Sequence, residues 1–257
     1  MIGCRSCPPA RQSQAPRGRA TFRAHQRQTA RAKIQIFEQF AELARVLGHA
    51  HRLELIEHVS QGERSVERLS ELTGLSIANA SQHLQLLRRG GFITSRREGK
   101  RVLYRIADGP IFELLSALRH YAENNSAEVR KITTDYFERL DNLEPVSRDD
   151  LVDRVREGSV TLLDVRPQDE FALGHLPGAW NVPISELEKR LADLPTDQEF
   201  IAYCRGPYCV LSFEAVAALR AKGYRIRRLE DGYPEWSAAG LPVERTSSSS
   251  ANAAGVQ

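Results

Sequence analysis

The sequence predicts two domains of different class, a mostly helical one followed by an α/β one built on a parallel sheet. Three observations carry this. At roughly 150 residues per domain, 257 residues make one or two domains. Apolar residues recur at helical spacing through residues 34–140. Beyond residue 150, short apolar strands alternate with helical stretches, the pattern of parallel strands joined by helices. A composition 41% hydrophobic and 27% charged is that of a soluble globular chain. No run of about 18 apolar residues is present to cross a membrane, and the basic start lacks the apolar centre of a secretory signal. Four cysteines are too few for a disulfide scaffold. A cytoplasmic protein is expected, in which a cysteine in a special setting is reactive rather than structural.

Residues 1–33 carry Arg, Gln, Ala and Pro without periodicity and are expected to lack structure. Cys4 and Cys7 lie there with only a distant His25, so no metal site is expected, and no cofactor. Residues 34–140 form the first domain. Ile36, Phe37, Phe40, Leu43, Ala44 and Leu47 set one helix, and a second runs near Arg52–Val59. Ser65 caps a third, which reaches Leu72 before Gly74 breaks it, and Ser76 caps a fourth, which ends at Gly90-Gly91. Phe92–Arg97 and Arg101–Ile106 alternate as strands around Glu98-Gly99-Lys100, and a long helix follows Pro110 to about Leu140. Pro145 and its polar neighbours mark a linker at 141–150. In the second domain, 151–244, strands are expected at Val160–Val165, Phe200–Tyr203 and Ile226–Leu229, and helices at Glu186–Asp193 and Phe213–Lys222. Residues 245–257 are a low-complexity tail.

Two helices joined by a glycine turn and followed by a charged hairpin make a winged helix-turn-helix layout. The second helix must offer short polar side chains to base edges, and Ser76, Asn79, Ser81, Gln82 and His83 do so. Ile77, Ala80, Leu84 and Leu87 supply its buried face. Residues 88–105 hold seven Arg/Lys against one acid, Glu98, inside a block whose net charge is close to zero. Arg88, Arg96, Arg97, Lys100 and Arg101 are the candidate phosphate contacts. Residues 1–35 carry eight Arg/Lys and no acid, a charge without a fold.

The stretch Leu75-Ser-Ile-Ala-Asn-Ala-Ser-Gln-His-Leu-Gln-Leu-Leu-Arg-Arg-Gly-Gly-Phe-Ile, with Arg96-Arg97-Glu98-Gly99-Lys100 and Tyr104 after it, resembles the ArsR-type, metal-responsive repressors. The resemblance spans about 100 residues with the flanking helices. It implies a homodimer built through the first and last helices of the domain, a double-stranded operator as partner, and repression relieved by an inducer. The family's arsenic-binding cysteines have no counterpart in the helix Ser65–Leu72, and only His120 and Glu123 resemble half of its zinc set. The inducing signal therefore either enters elsewhere or is a ligand whose site the sequence does not reveal.

The segment Phe200-Ile-Ala-Tyr-Cys204-Arg-Gly-Pro-Tyr-Cys209-Val sets a cysteine at the carboxyl end of an apolar strand, with a helix following. Reactive groups gather at that end of parallel sheets. Successive loop amides entering a helix N-terminus form an anion nest, and the helix dipole with Arg205 favours thiolate over thiol. Gly206 permits close backbone approach, and Tyr208 completes the loop.

Around this loop stand Leu162-Leu-Asp164-Val-Arg166, Glu170-Phe-Ala-Leu-Gly174-His175-Leu-Pro-Gly178-Ala179-Trp-Asn181-Val-Pro183 and Asp231-Gly232-Tyr-Pro-Glu-Trp236. Together they resemble the rhodanese (thiosulfate sulfurtransferase) family over about 147–244. The resemblance implies that Cys204 carries sulfane sulfur as a persulfide, cradled by the loop amides. The related phosphatases and arsenate reductases of the cell-cycle type use Cys-x-x-x-x-x-Arg, but Val210 stands in the arginine's place, which argues against that chemistry. Asp164 and Arg166 read either as functional or as an ion pair shaping the sheet end, and His175 either as a base or as a structural hydrogen-bonder. Cys209 reads as a resolving thiol or as a small buried residue. The function expected is a repressor whose sulfur or redox state sets DNA affinity, with a sulfane sulfur donor, a thiol acceptor and no membrane as further partner assignments. The alternatives are a sulfurtransferase whose DNA module only targets or autoregulates it, and an idle rhodanese-like domain that mediates contacts.

Overall fold

The computed structural model describes residues 17–139, 145–190 and 194–246. Cys4, Cys7 and the tail from residue 247 lie outside the described residues, as does the side chain of His25. The chain divides into two compact units between Gly48 and His49. The first holds helix α1 (Arg17–Leu47), which begins inside the stretch expected to lack structure. Its Ala, Arg and Gln are good helix formers even without an apolar stripe. Ile34, Ile36, Phe37, Phe40 and Leu43 are exposed along it.

The second unit begins with α2 (Ala50–Ser60), a short strand β1 (Arg64–Ser65), α3 (Val66–Thr73) and α4 (Ile77–Arg89). The Ser65 hydroxyl accepts from the Arg68 amide and that of Ser76 from the Asn79 amide, at 3.3 Å each, which starts α3 and α4 where the sequence places them. Gly74, at φ 66°, closes α3 in the left-handed conformation that opens the turn. Strands β2 (Ile93–Glu98) and β3 (Arg101–Ile106) form the hairpin, and β1 joins it to give the order β1-β3-β2. Leu55, Ile56, Leu69, Leu84, Leu87 and Ile93 fill the core. Ala80 is buried as expected, but Ile77 is 53% exposed, because the first turn of α4 extends past that core.

The long helix expected from Pro110 is interrupted. It runs as α5 (Ile111–Asn125), breaks at Ser126 and resumes as α6 (Ala127–Ile132), followed by a π-helical turn at Thr133–Glu138. Ser126 is extended, and its hydroxyl caps the Val129 amide, a bond that competes with helix continuation. The second half of the expected linker is also helical. Ser147 caps α7 (Arg148–Arg156), and Asp149 and Asp150 occupy the first turn, where the helix dipole favours acids.

Strand β4 (Val160–Asp164), α8 (Gln168–Leu173), β5 (Trp180–Asn181), α9 (Leu187–Arg190), β6 (Glu199–Tyr203), α10 (Val210–Ala221), β7 (Arg225–Arg228) and α11 (Tyr233–Ala238) complete the chain. The sheet is parallel, in the order β5-β4-β6-β7. Side chains on β6 alternate between two cores, as a strand's period of two requires. Phe200 and Ala202 pack with α9 and α10 residues such as Leu187 and Val216, while Ile201 and Tyr203 pack with Leu151 and Trp236 of α7 and α11. Both faces are covered, so the carboxyl edge of the sheet, where Cys204 follows β6, is where a site can open.

Candidate functional site

Cys204 leaves β6 and Cys209 is the N-cap residue of α10. Their Cα atoms are 6.2 Å apart, and the two sulfurs are joined as a disulfide across the four-residue loop. Both cysteines are buried. The Cys209 amide donates to Gly206 O at 3.1 Å, and Cys204 O accepts from the Tyr233 amide at 3.0 Å. Gly232 lies so close behind the loop that a Cβ there would overlap the backbone of Arg205 and Gly206. The segment 231–236 is thus a clamp on the cysteine loop, and only glycine fits at its point of contact.

Arg205 does not stand alone beside the sulfur. Its guanidinium binds Glu170 of α8 at 2.9–3.1 Å, and that carboxylate is 1% exposed. Glu170 is shared. Nη2 of Arg64, from β1, lies 3.3 Å from the same carboxylate, and Arg64 also binds Asp169 at 3.2 Å. Burial pushes the Asp169 carboxyl up, but Arg64 and Arg68 outweigh it and hold it below its usual value. Gln61, fully buried, accepts from Arg166 at 3.1 Å and donates to Arg205 O at 3.4 Å. His58, buried nearby, has its pKa lowered to about 4 by burial and then by the charge of Arg205.

Asp164 and Arg166 form a wholly buried pair at 3.0–3.1 Å, and Arg166 also donates to Gly174 O at 2.7 Å. It stacks over Tyr233 at 4.3 Å. This is the geometry of a frame for the sheet end. Nδ1 of His175 lies 2.9 Å from Phe171 O, Nε2 lies 3.6 Å from the Glu244 carboxylate, and the ring stacks on Phe171. Tyr208 donates to Glu123 of α5 in a short hydrogen bond and packs 5.4 Å from Phe137 of the π-helical turn. Burial, then that bond, pushes its pKa up to about 12. Glu123, one of the two residues resembling half of a zinc set, is thus engaged by the cysteine loop. Among the described residues no group of three His, Cys, Asp or Glu is placed to hold a metal.

Sequence reasoning missed Gln61, Arg64, Glu57, Glu123 as a loop partner and Phe137. All come from the helical region, and they meet the loop, or in the case of Arg64 its partner Glu170, from 70 or more residues away in the chain. The one available signal was an unexplained polar cluster, Gln61-Gly-Glu-Arg64, before a capped helix.

On the other side, Asn79, Gln82, Arg88, Arg97, Lys100 and Arg101 are exposed, and Ser81 is half-buried. Ser76 is exposed with its hydroxyl capping α4. Several other predicted DNA contacts also have partners within the protein, and the Ser81 hydroxyl accepts from Gln85 at 3.5 Å. Arg96 binds Glu63 at 2.8–2.9 Å and Glu98 at 2.9 Å. Arg88 donates to Ser95 at 3.2 Å, and His83 packs 4.5 Å from His49.

These features define a class: a winged helix-turn-helix DNA reader joined to a rhodanese-like domain with a two-cysteine loop. Residues 47–96 match the family described as helix-turn-helix domain, and residues 147–239 the rhodanese-like domain. The HTH-type transcriptional regulator Rv0324 of Mycobacterium tuberculosis is 40% identical over 212 residues, 82% of this chain and 93% of that protein. A sulfurtransferase of Allochromatium vinosum is 34% identical over 85 residues, 33% of this chain and 78% of that one. The homodimeric winged helix-turn-helix domain of a possible ArsR-family regulator from Mycobacterium bovis aligns at 33% identity and TM-score 0.34, covering 37% of this chain and 89% of that one. The chain belongs to the ArsR-type helix-turn-helix transcriptional regulators that carry a rhodanese domain.

Proposed function

We propose that this regulator is a cytoplasmic homodimeric repressor whose operator affinity is set by sulfur loading of Cys204. One observation carries the coupling. Glu170 binds Arg205 of the cysteine loop and Arg64 of β1, and β1 is paired with wing strand β3 through Arg64↔Tyr104. A displacement of the loop therefore acts on the root of the wing through one buried carboxylate. Coupling requires that the two loop states favour different wing positions, and this contact is where that bias enters.

In the chemistry, the Cys204 thiolate attacks the terminal sulfur of a persulfide RS–SH. The donor S–S bond breaks, RS⁻ leaves and Cys204–S–SH forms. The Cys209 thiolate then attacks the Cys204 sulfur, expels HS⁻ and closes the disulfide, so that two thiolates are oxidised as one sulfane sulfur is reduced to sulfide. A thiol acceptor meeting the persulfide first takes the outer sulfur instead. The loop amides and the start of α10 stabilise the thiolate. Arg205, tied to Glu170, serves in positioning the loop. Asn79, Ser81 and Gln82 read bases, Arg97, Lys100 and Arg101 hold phosphates, and the exposed apolar faces of α1 and α5 join the protomers.

Gel-shift titration of the reduced chain with and without polysulfide tests the reading. Loading is expected to weaken operator binding at least about tenfold, a coupling of about 1.4 kcal/mol, and Cys204→Ser to show no change. Equal affinity for both proteins under both conditions overturns it. The match to a sulfurtransferase favours a second reading, in which sulfur transfer is itself the output. Turnover without any change in operator affinity selects that one.

A further inference from the structure

The cysteine loop faces a chamber that the DNA-reading domain builds. All four residues between the cysteines, Arg205, Gly206, Pro207 and Tyr208, line one side of a cavity of about 430 Å³. The opposite walls come from α2, α5 and α6, through Leu53, Ile56, Phe112, Leu115 and Val129. This volume lies within the ~300–1,000 Å³ of small-molecule sites, which are mostly apolar with a few polar groups. The charged side chains in its walls are Glu57, Glu235, Arg119 and Arg205. Two are carboxylates and two are guanidiniums, of which Arg205 is bound to Glu170 and Arg119 donates to the Ser116 hydroxyl. A small dianion such as thiosulfate keeps its hydration in bulk water, and entering a mostly apolar chamber whose two cations are offset by two acids costs it that hydration without an equal return.

We propose that this cavity is the donor site of the cysteine loop and that it selects organic persulfides with an apolar substituent over thiosulfate and other small inorganic donors. The inference rests on the sulfur-uptake reading above. In it the alkyl or aryl group of RS–SH lies against Leu53, Leu115 and Val129, and the persulfide end meets the loop Arg205–Tyr208. Cys204 and Cys209 are buried beneath that loop and do not line the cavity, so uptake requires the loop of the reduced chain to part. The Cys204 thiolate takes the terminal sulfur and RS⁻ leaves into the same chamber, where it picks up a proton from water. The site of sulfur entry is then also the contact between the two domains, so donor size is sensed by helices of the DNA reader itself.

The test uses the full chain, reduced, with sulfur uptake at Cys204 followed by mass spectrometry. The donors are methyl, butyl and hexyl persulfide, thiosulfate and inorganic polysulfide. Uptake efficiency is expected to rise with chain length, by up to about fourfold per methylene if each is fully buried, and hexyl persulfide to exceed thiosulfate at least about tenfold. In Ala122→Phe, which fills the cavity, the ratio of hexyl persulfide to thiosulfate uptake is expected to collapse. In Val129→Arg, which adds a cation to the wall, that ratio is expected to fall as thiosulfate improves. The wild-type chain-length series stands even if a variant does not fold. A flat series, or thiosulfate as fast as hexyl persulfide, overturns the donor assignment while sulfur uptake stands. No uptake from any donor, polysulfide included, overturns both.

Discussion

The recognition helix with its wing and the cysteine loop solve opposite problems. On α4 and the hairpin, charged and polar groups face solvent and local bonds fix the backbone, with Ser76 capping three residues ahead and β2 paired to β3. At the cysteine loop, the charged groups are buried and the bonds that fix it come from distant segments, through Glu170, Gln61, Glu123 and Gly232. Groups on a surface keep their water until DNA replaces it. Groups in the interior must find partners at once, because an unpaired buried charge costs several kcal/mol. The reader is therefore modular and the loop is not.

The sharpest break in this comparison is Cys204→Ser. It is expected to abolish sulfur uptake in mass spectrometry and to leave operator binding of the untreated protein unchanged. Next is Glu170→Gln, which strips the shared carboxylate from Arg64 and Arg205. Removing one partner of a buried ion pair costs about 3–5 kcal/mol, to be read in urea unfolding, and the operator is expected to stop responding to polysulfide. A response that persists separates the loop from the wing and refutes the coupling.

His58 gives a third, pH-dependent contrast. Its folded pKa of about 4 lies below the unfolded value of 6.5, so the unfolded chain takes up the proton first. The stabilisation is complete above pH 6.5 and is lost as pH falls toward 4. The loss is at most about 3 kcal/mol, less where solvent reaches the ring. The unfolding free energy of wild type relative to His58→Leu, followed across that window, measures it. A flat difference shows that the ring is not shielded behind the loop.

Smaller effects are expected on the reading side. Ser76→Ala removes one cap and should cost about 1 kcal/mol in thermal unfolding, with no effect on sulfur uptake. Lys100→Ala should change stability by less than about 0.5 kcal/mol and lower the salt slope of operator binding by about 0.9 per protomer, about 1.8 for the dimer. An unchanged slope removes Lys100 from the phosphate contacts.

The same contrast explains what could be read from the chain. The helix starts at Ser65 and Ser76, the hairpin and the strand before Cys204 were legible, because caps, turns and alternation act over a few residues. The break at Ser126 and the helical start at Ser147 were missed, although both are serine caps, because each sits in a stretch whose composition reads as something else. The exposure of Ile77 was missed because periodicity gives a face but not where the core beneath it ends. Cys204 was legible from its motif, whereas Arg64 and Gln61 look like ordinary surface residues in a loop.

The sequence by itself determined the two domain classes, the polar face of α4, the basic wing and the position of Cys204 at the end of an apolar strand, since each depends on residues near one another in the chain. Only the tertiary structure decided that Cys204 and Cys209 meet, that Arg205 is committed to Glu170, and that α2, α5 and α6 wall the space in front of the loop. Those facts depend on which buried charges and apolar faces find each other across long stretches of chain. Such pairings are chosen by the free energy of the whole packed interior, where an unmet partner is costly.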